Sequence, residues 1–269
     1  MRTIIYVAII YTLVGLALHA QEKIAVKGSD TINAKLMPRL AEAYNAAGNK
    51  VTFEIEDKGS SSAFTNLEAG TADIGASSRS VEPSEKEKFS ARGRDLVEHI
   101  AAIDMIAIIV NEKNKIDDLT LQQIEAIFTG EITDWSEVGG RPGKIVVYTR
   151  NETSGTYASF QKLVLASRDY GSNTQKMEGN RQIATEVAGN KYGIGYIGKA
   201  YASEEGVKTL SVDGIVFADQ NRSSYSISRE LYYYTVGEPT GTVRKFLNWA
   251  KNSDEAEHII SDTGFIPHK

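Results

Sequence analysis

The feature that most limits how this chain can fold is a junction that recurs four times, in which an apolar strand pattern runs into Gly, Ser and Thr and then into a helical pattern. The junctions are Gly28-Ser29-Asp30-Thr31, Gly59-Ser60-Ser61-Ser62, Ser77-Ser78-Arg79-Ser80 and Arg150-Asn151-Glu152-Thr153-Ser154-Gly155-Thr156. The stretches KIAVK, VTFEIED, ADIGAS and KIVVYTR read as the strands before them. After the first junction, Leu36, Leu40, Ala41 and Tyr44 recur at helical spacing, with Gly48 placed to end the helix. Pro38 lies inside that stretch, so the helix either begins late or bends there. AFTNLEAG, DLTLQQIEAIFTG and SGTYASFQKLVLAS read as further helices. Strands alternating with helices predict an α/β fold built on mainly parallel sheets.

Two extended stretches interrupt the alternation, LVEHIAAIDMIAIIVN and YSISRELYYYTV. The run from Ile100 to Val110 is long for one strand and reads as two strand pieces that pass from one lobe into another. One core for 269 residues would be large, so two lobes are expected. Because the chain crosses twice, the first lobe is discontinuous: residues 21–104 with 227–269, against 105–226 for the second. A capped helix is expected from Thr240 to Ala250. At the N-terminus, Arg2 precedes an uncharged apolar run over residues 4–18, and Ala20 stands before Gln21. That layout predicts a cleaved signal peptide at 1–20 and an exported, periplasmic protein, since the run is short for a permanent anchor.

In a parallel sheet the four junctions lie at the carboxyl edge of the strands, where open α/β folds bind ligands, and they would converge on one crevice. A helix start presents backbone N–H groups without intrahelical partners and a partial positive charge, which favours anions. Ser and Thr add hydroxyl donors, and Gly lets backbone approach closely. Arg79 and Arg150 can add planar charged forks that grip tetrahedral oxyanions. Any one junction is an ordinary helix cap; four with two arginines point to a site for a small, multiply charged anion. Asp30 runs against that field. It is either an N-cap or an acceptor for a ligand that still carries a proton, which would separate hydrogen phosphate from sulfate. The net charge of −5 excludes a nucleic-acid or anionic-membrane binder working by bulk positive field.

Other signals point away from other chemistries. Gly193-Ile194-Gly195-Tyr196-Ile197-Gly198 spells G-x-G-x-x-G, but a helical stretch, RQIATEVAGN, precedes it and the pattern reads as a buried strand. Cys is absent, and His99, His258 and His268 lie far apart, so neither a transition-metal site nor any other cofactor is expected. A Ser-His-Asp triad is open on sequence alone, though no G-x-S-x-G elbow occurs. Tyr232-Tyr233-Tyr234 reads as strand packing, and Trp135 and Trp249 as core or lobe-edge anchors.

With KGSDT, GSSSAF, ADIGASSR and R-x-x-x-SGT in this order, the chain resembles the phosphate-binding proteins of bacterial ABC transporters, the PstS-like family. FTGEITDWSEVGG, GNKYGIGYIG and SRELYYYT extend the resemblance from Lys23 to the end. It implies a two-lobed periplasmic-binding-protein fold of type II with two crossing strands as hinge. It further implies that the protein closes on inorganic phosphate as a monomer and delivers it to a membrane permease, with no catalysis and no nucleic acid. Carried over by position, the oxyanion contacts fall on Ser29, Asp30, Thr31, Ser60, Ser61, Ser78, Arg150, Ser154, Gly155 and Thr156, with Arg79 adjacent. Several members read Ser-Asp where this chain has Ser77-Ser78, and that Asp accepts the phosphate proton. Here Asp30 is the candidate acceptor. Sulfate, molybdate, a sensing role without transport, and an exported phosphatase or esterase are the competing readings.

Overall fold

The computed structural model describes residues 22–268; the signal peptide expected at 1–20 lies outside them. The chain opens with β1 (Glu22–Gly28), the single turn α1 (Asp30–Asn33), α2 (Leu36–Ala46), β2 (Val51–Glu56), α3 (Ser60–Ala69), β3 (Ile74–Ser77) and α4 (Pro83–Ser90). The long β4 (Leu96–Asn111) leads to β5 (Asp118–Leu119), α5 (Leu121–Thr129), β6 (Val146–Arg150), α6 (Gly155–Leu163) and β7 (Gln175–Met177). Next come α7 (Asn180–Gly189), β8 (Gly193–Gly198), β9 (Val207–Thr209) and β10 (Ser211–Val212). The chain returns through β11 (Ser228–Val236) and closes with α8 (Gly241–Asn252) and α9 (Asp254–Asp262).

Local chemistry explains the boundaries. Thr120 and Gln123 form a capping box at the start of α5, and Gly130 ends it in the left-handed conformation. Pro38 is the third residue of α2, so the helix starts before it and runs through. A first-turn position has no intrahelical N–H bond to lose, which is why proline is tolerated there. The G-x-G-x-x-G stretch is the fully buried strand β8.

The expected α/β layout is present, with one difference in how the strands join. The parallel groups β2-β1-β3 and β8-β6-β7 are not two separate sheets, because β11 and β4 lie between them in one hydrogen-bonded order, β2-β1-β3-β11-β4-β8-β6-β7. These two long strands join antiparallel to their neighbours. Nor is β4 broken into two pieces. It pairs with β11 from Leu96 to Met105, with one register shift between Leu231 and Tyr232 that skips Ala101, and then with β8 from Ile106 to Val110. Its residues from Met105 to Val110 are fully buried, so an unbroken ladder keeps their backbone groups paired.

Apolar side chains cover both faces of each parallel group. Ile24, Val26, Leu36, Leu231, Tyr233 and Phe246 pack on one face of the first group, and Phe64, Leu67, Phe89 and Tyr234 on the other. In the second group, Ile108, Phe128, Val147, Phe160 and Tyr196 lie opposite Ile109, Ile183, Val187 and Ile197. Tyr232, Tyr233 and Tyr234 are buried strand residues; Trp135 is a core residue and Trp249 packs half-buried against the first core. Among the described residues no helix is long and apolar enough to cross a membrane.

Candidate functional site

The carboxyl ends of β1, β3 and β6 come together. Gly28 ends β1 at φ 134°, and a side chain there would strike the Ala76 carbonyl at 2.1 Å. Only glycine lets the two strand ends approach this closely. Ser29, not Asp30, caps α1, and its hydroxyl lies 2.5 Å from that of Ser78. Ser60 Oγ accepts the Ser78 backbone N–H at 2.9 Å, which ties the second junction to the third.

The fourth junction closes over the other three. Thr31 Oγ1 and Thr156 Oγ1 are 3.0 Å apart, Ser61 N–H donates to the Thr153 carbonyl at 3.1 Å, and Ser159 Oγ donates to the Ser78 carbonyl at 2.9 Å. Gly155 fits against this surface because it has no side chain: a Cβ would lie 2.3 Å from Ser60 Oγ. These contacts bring Ser29, Thr31, Ser60, Ser61, Ser78, Gly155 and Thr156 side by side at the ends of the strands.

The hydroxyls are oriented by what they cap. A hydroxyl has two lone pairs and one proton. Ser154 Oγ accepts the N–H groups of Thr156 at 3.1 Å and Tyr157 at 3.3 Å, so its proton must point away from α6. Ser60 Oγ is likewise an acceptor toward the backbone, leaving its proton as a donor. Within the Ser29–Ser78 and Thr31–Thr156 pairs, one hydroxyl donates to the other and the second proton is left over. Where the junctions meet, hydroxyl protons are thus available as donors, with the Asp30 carboxylate as the acceptor among them.

The two predicted arginines behave differently. Arg150 is 1% exposed at the end of β6, and its backbone N–H donates to Tyr196 Oη at 3.2 Å. One guanidinium nitrogen donates to the Glu178 carbonyl at 2.5 Å. Another, Nη1, lies 3.0 Å from Asp30 Oδ1 as a charge contact without hydrogen-bond geometry, so Nη1 and Nε are buried donors with no hydrogen-bond partner. Arg79 instead makes two bonds of 2.7 Å to the Glu85 carboxylate and reaches Ser61 Oγ at 3.3 Å. Burial works to lower its pKa, but Glu85 and Glu82 outweigh that and hold it above the ordinary arginine value. Its charge is neutralised beside its own junction.

Three residues of this region escaped the sequence reading. Arg229 on β11 donates to Asp104 Oδ2 at 2.8 Å, to the Ser78 carbonyl at 3.1 Å and to Thr156 Oγ1 at 3.0 Å. It thus braces the third and fourth junctions from the crossing strands. Burial lowers its pKa and Arg150 lowers it further, while Asp104 opposes both. Arg229 and Asp104 are register partners in the antiparallel pairing. A signal existed: Asp104 is the sole charge between Ile100 and Val110, and a charge buried in a strand needs a partner. The third is Asn180, the first residue of α7, which bonds to Asp30.

No three carboxylate or imidazole groups among the described residues gather as a metal site.

Comparison with known proteins agrees with this geometry. The PBP superfamily domain matches residues 17–255. The chain is 31% identical over 265 residues to the phosphate-binding protein PstS of Pseudomonas aeruginosa, covering 89% of this chain and 81% of that protein. It is 29% identical over 250 residues to PstS of Bacillus subtilis, covering 92% and 81%. Among solved structures, one from Clostridium perfringens, described as a phosphate ABC transporter substrate-binding protein with bound phosphate, is 33% identical. It superposes with a TM-score of 0.85 over 92% of this chain and 100% of that one. An ABC-type phosphate transport receptor from Vibrio cholerae gives 28% identity and a TM-score of 0.75 over 92% and 100%. A crevice of oriented donors on this fold and these matches lead to one assignment: the chain belongs to the PBP superfamily and, within it, to the PstS-like family.

Proposed function

We propose that this protein is an extracytoplasmic receptor that encloses one inorganic phosphate between two α/β lobes and hands it to the permease of an ABC importer. The observation that carries this reading is the supply of donors where the four junctions meet, above all Arg150 Nε and Nη1, which are buried without a hydrogen-bond partner. An unmatched buried donor costs about 1–3 kcal/mol, so an oxyanion that meets it recovers that cost on binding. Ser29, Thr31, Ser60, Ser61, Ser78, Ser154, Gly155 and Thr156 supply the remaining contacts, each charge-assisted bond contributing roughly 1.5–3 kcal/mol against the desolvation of the ion. Arg150 and Arg229 stand beside Asp30 and Asp104, so the crevice holds its guest by directed bonds more than by net charge.

Asp30 is the acceptor in this scheme. Its Oδ1 takes the bonds from Asn180 and its Oδ2 is left to meet a protonated oxygen of hydrogen phosphate. Sulfate carries no proton near neutral pH and would leave that carboxylate facing an anion unpaired. Arg79 acts on the guest through Ser61 only. Residues 21–104 with 227–269 form one lobe and 105–226 the other, and closure between them excludes water and strengthens every bond inside. The protein works as a periplasmic monomer after loss of residues 1–20. Its relatives are named as binding proteins, which supports a receptor without catalysis over a phosphatase or esterase.

Calorimetric titration of the mature protein tests this. Phosphate should bind in the micromolar range or tighter, with sulfate at least about a hundredfold weaker. Asp30→Asn should shrink that preference. Wild-type protein that ignores phosphate, or an Asp30→Asn variant with unchanged sulfate competition, would contradict the receptor reading and the acceptor role respectively.

A further inference from the structure

We infer that Asn180 is the latch of the closed crevice, a positioning residue that holds Asp30 and Thr31 against the opposite half of the molecule and thereby sets how slowly the guest leaves. The inference rests on the receptor reading above.

Asn180 is fully buried and opens α7, a helix of 10 residues whose preceding Gly179 has no side chain to cap it. The open N–H end of α7 is served from across the molecule, 150 residues away in sequence. Asp30 Oδ1 accepts the Asn180 backbone N–H at 3.1 Å and its side-chain Nδ2 at 2.6 Å. A carboxylate at a helix N-terminus adds a favourable charge–dipole term to those bonds. The same Nδ2 lies 3.3 Å from Thr31 Oγ1. The amide cannot turn to other uses, because its carbonyl oxygen accepts the Gly198 N–H at 3.0 Å. Even the bare backbone of Gly179 contributes: a Cβ there would sit 3.3 Å from Asp30 Oδ2.

Among the other cross-contacts, Arg150 Nη1 reaches the same Asp30 Oδ1 at 3.0 Å but without hydrogen-bond geometry, and the Thr31–Thr156 and Arg229–Thr156 bonds end on a hydroxyl of the binding junctions themselves. Lys35 bonds to the Ala200 carbonyl at 2.7 Å and to Glu204 at 3.4 Å, but both charged side chains are a quarter or more exposed, where ion pairs count for little. Ser61 N–H to the Thr153 carbonyl is a neutral bond. The Asp30–Asn180 contact joins a charged, partly buried carboxylate to a fully buried amide, and it holds two residues of the first junction that the guest would touch. Weakening it leaves the guest's own contacts in place but lowers the population of the closed form, which reduces apparent affinity by the same factor.

The test uses radiolabelled phosphate on the mature protein, measuring Kd by equilibrium dialysis and release rate by chase with unlabelled phosphate. Asn180→Ala should release phosphate roughly tenfold to a hundredfold faster, with Kd rising in step and the association rate unchanged. Asn180→Asp, which keeps the volume but faces Asp30 with a second carboxylate, should release faster still. This second variant also serves if Asn180→Ala fails to fold, as judged by circular dichroism. Wild-type release from Asn180→Asp, or a loss of affinity carried by slower association, would overturn the latch while leaving the receptor reading intact. Wild-type protein that binds no phosphate would overturn the receptor reading itself, and the latch with it.

Discussion

Arg79 and Arg150 stand at comparable places, two residues past the end of β3 and at the last residue of β6, and each is buried. Their surroundings make them different groups. Arg79 finds Glu85 six residues later, inside the capping box of α4, and its fork is filled by that carboxylate. Arg150 has one short bond to a carbonyl and one off-axis contact with Asp30, and two of its donors stay unmatched. A buried cation whose hydrogen bonds are complete holds its own segment together. One left incomplete in a donor-lined crevice is ready for a guest.

The largest expected effect follows from that contrast. Arg150→Ala should weaken phosphate binding at least about a hundredfold, close to 3 kcal/mol, because it removes the counter-charge and both free donors together. Calorimetric titration would show it, and affinity near wild type would break the contrast. Arg79→Ala should change affinity by no more than about threefold, felt through Ser61. It should instead lower thermal stability by roughly 1–3 kcal/mol, several degrees in Tm, because Glu85 loses its partner in a half-buried setting. Scanning calorimetry without phosphate reads this. An Arg79→Ala variant that melts like wild type yet binds phosphate poorly would assign the arginines the other way round.

The same pair marks how far sequence reasoning reaches. The strand–helix alternation and the four junctions are local, so spacing and capping chemistry expose them; helix caps and anion donors are the same residue types for the same reason. Glu85 is equally local to Arg79: three residues after Glu82 at a helix start, its carboxylate turns back to the Glu82 N–H, which also brings it to the arginine. What sequence hides is pairing across the fold. Arg229 meets Asp104 only because β11 and β4 run antiparallel in one register, and Asp30 meets Asn180 only once α7 is docked. The unbroken β4 was hidden for a related reason: a single strand can serve two parallel groups only when a partner waits on each side of it, and no local pattern reports that.

A diffraction structure of the mature protein with phosphate bound tests the central claim most directly. The oriented-donor account predicts that Arg150 Nε and Nη1 both lie within hydrogen-bond distance of phosphate oxygens, while Arg79 keeps its two bonds to Glu85. Phosphate seated on Arg79 with Glu85 turned away, or held without any contact to Arg150, would contradict it.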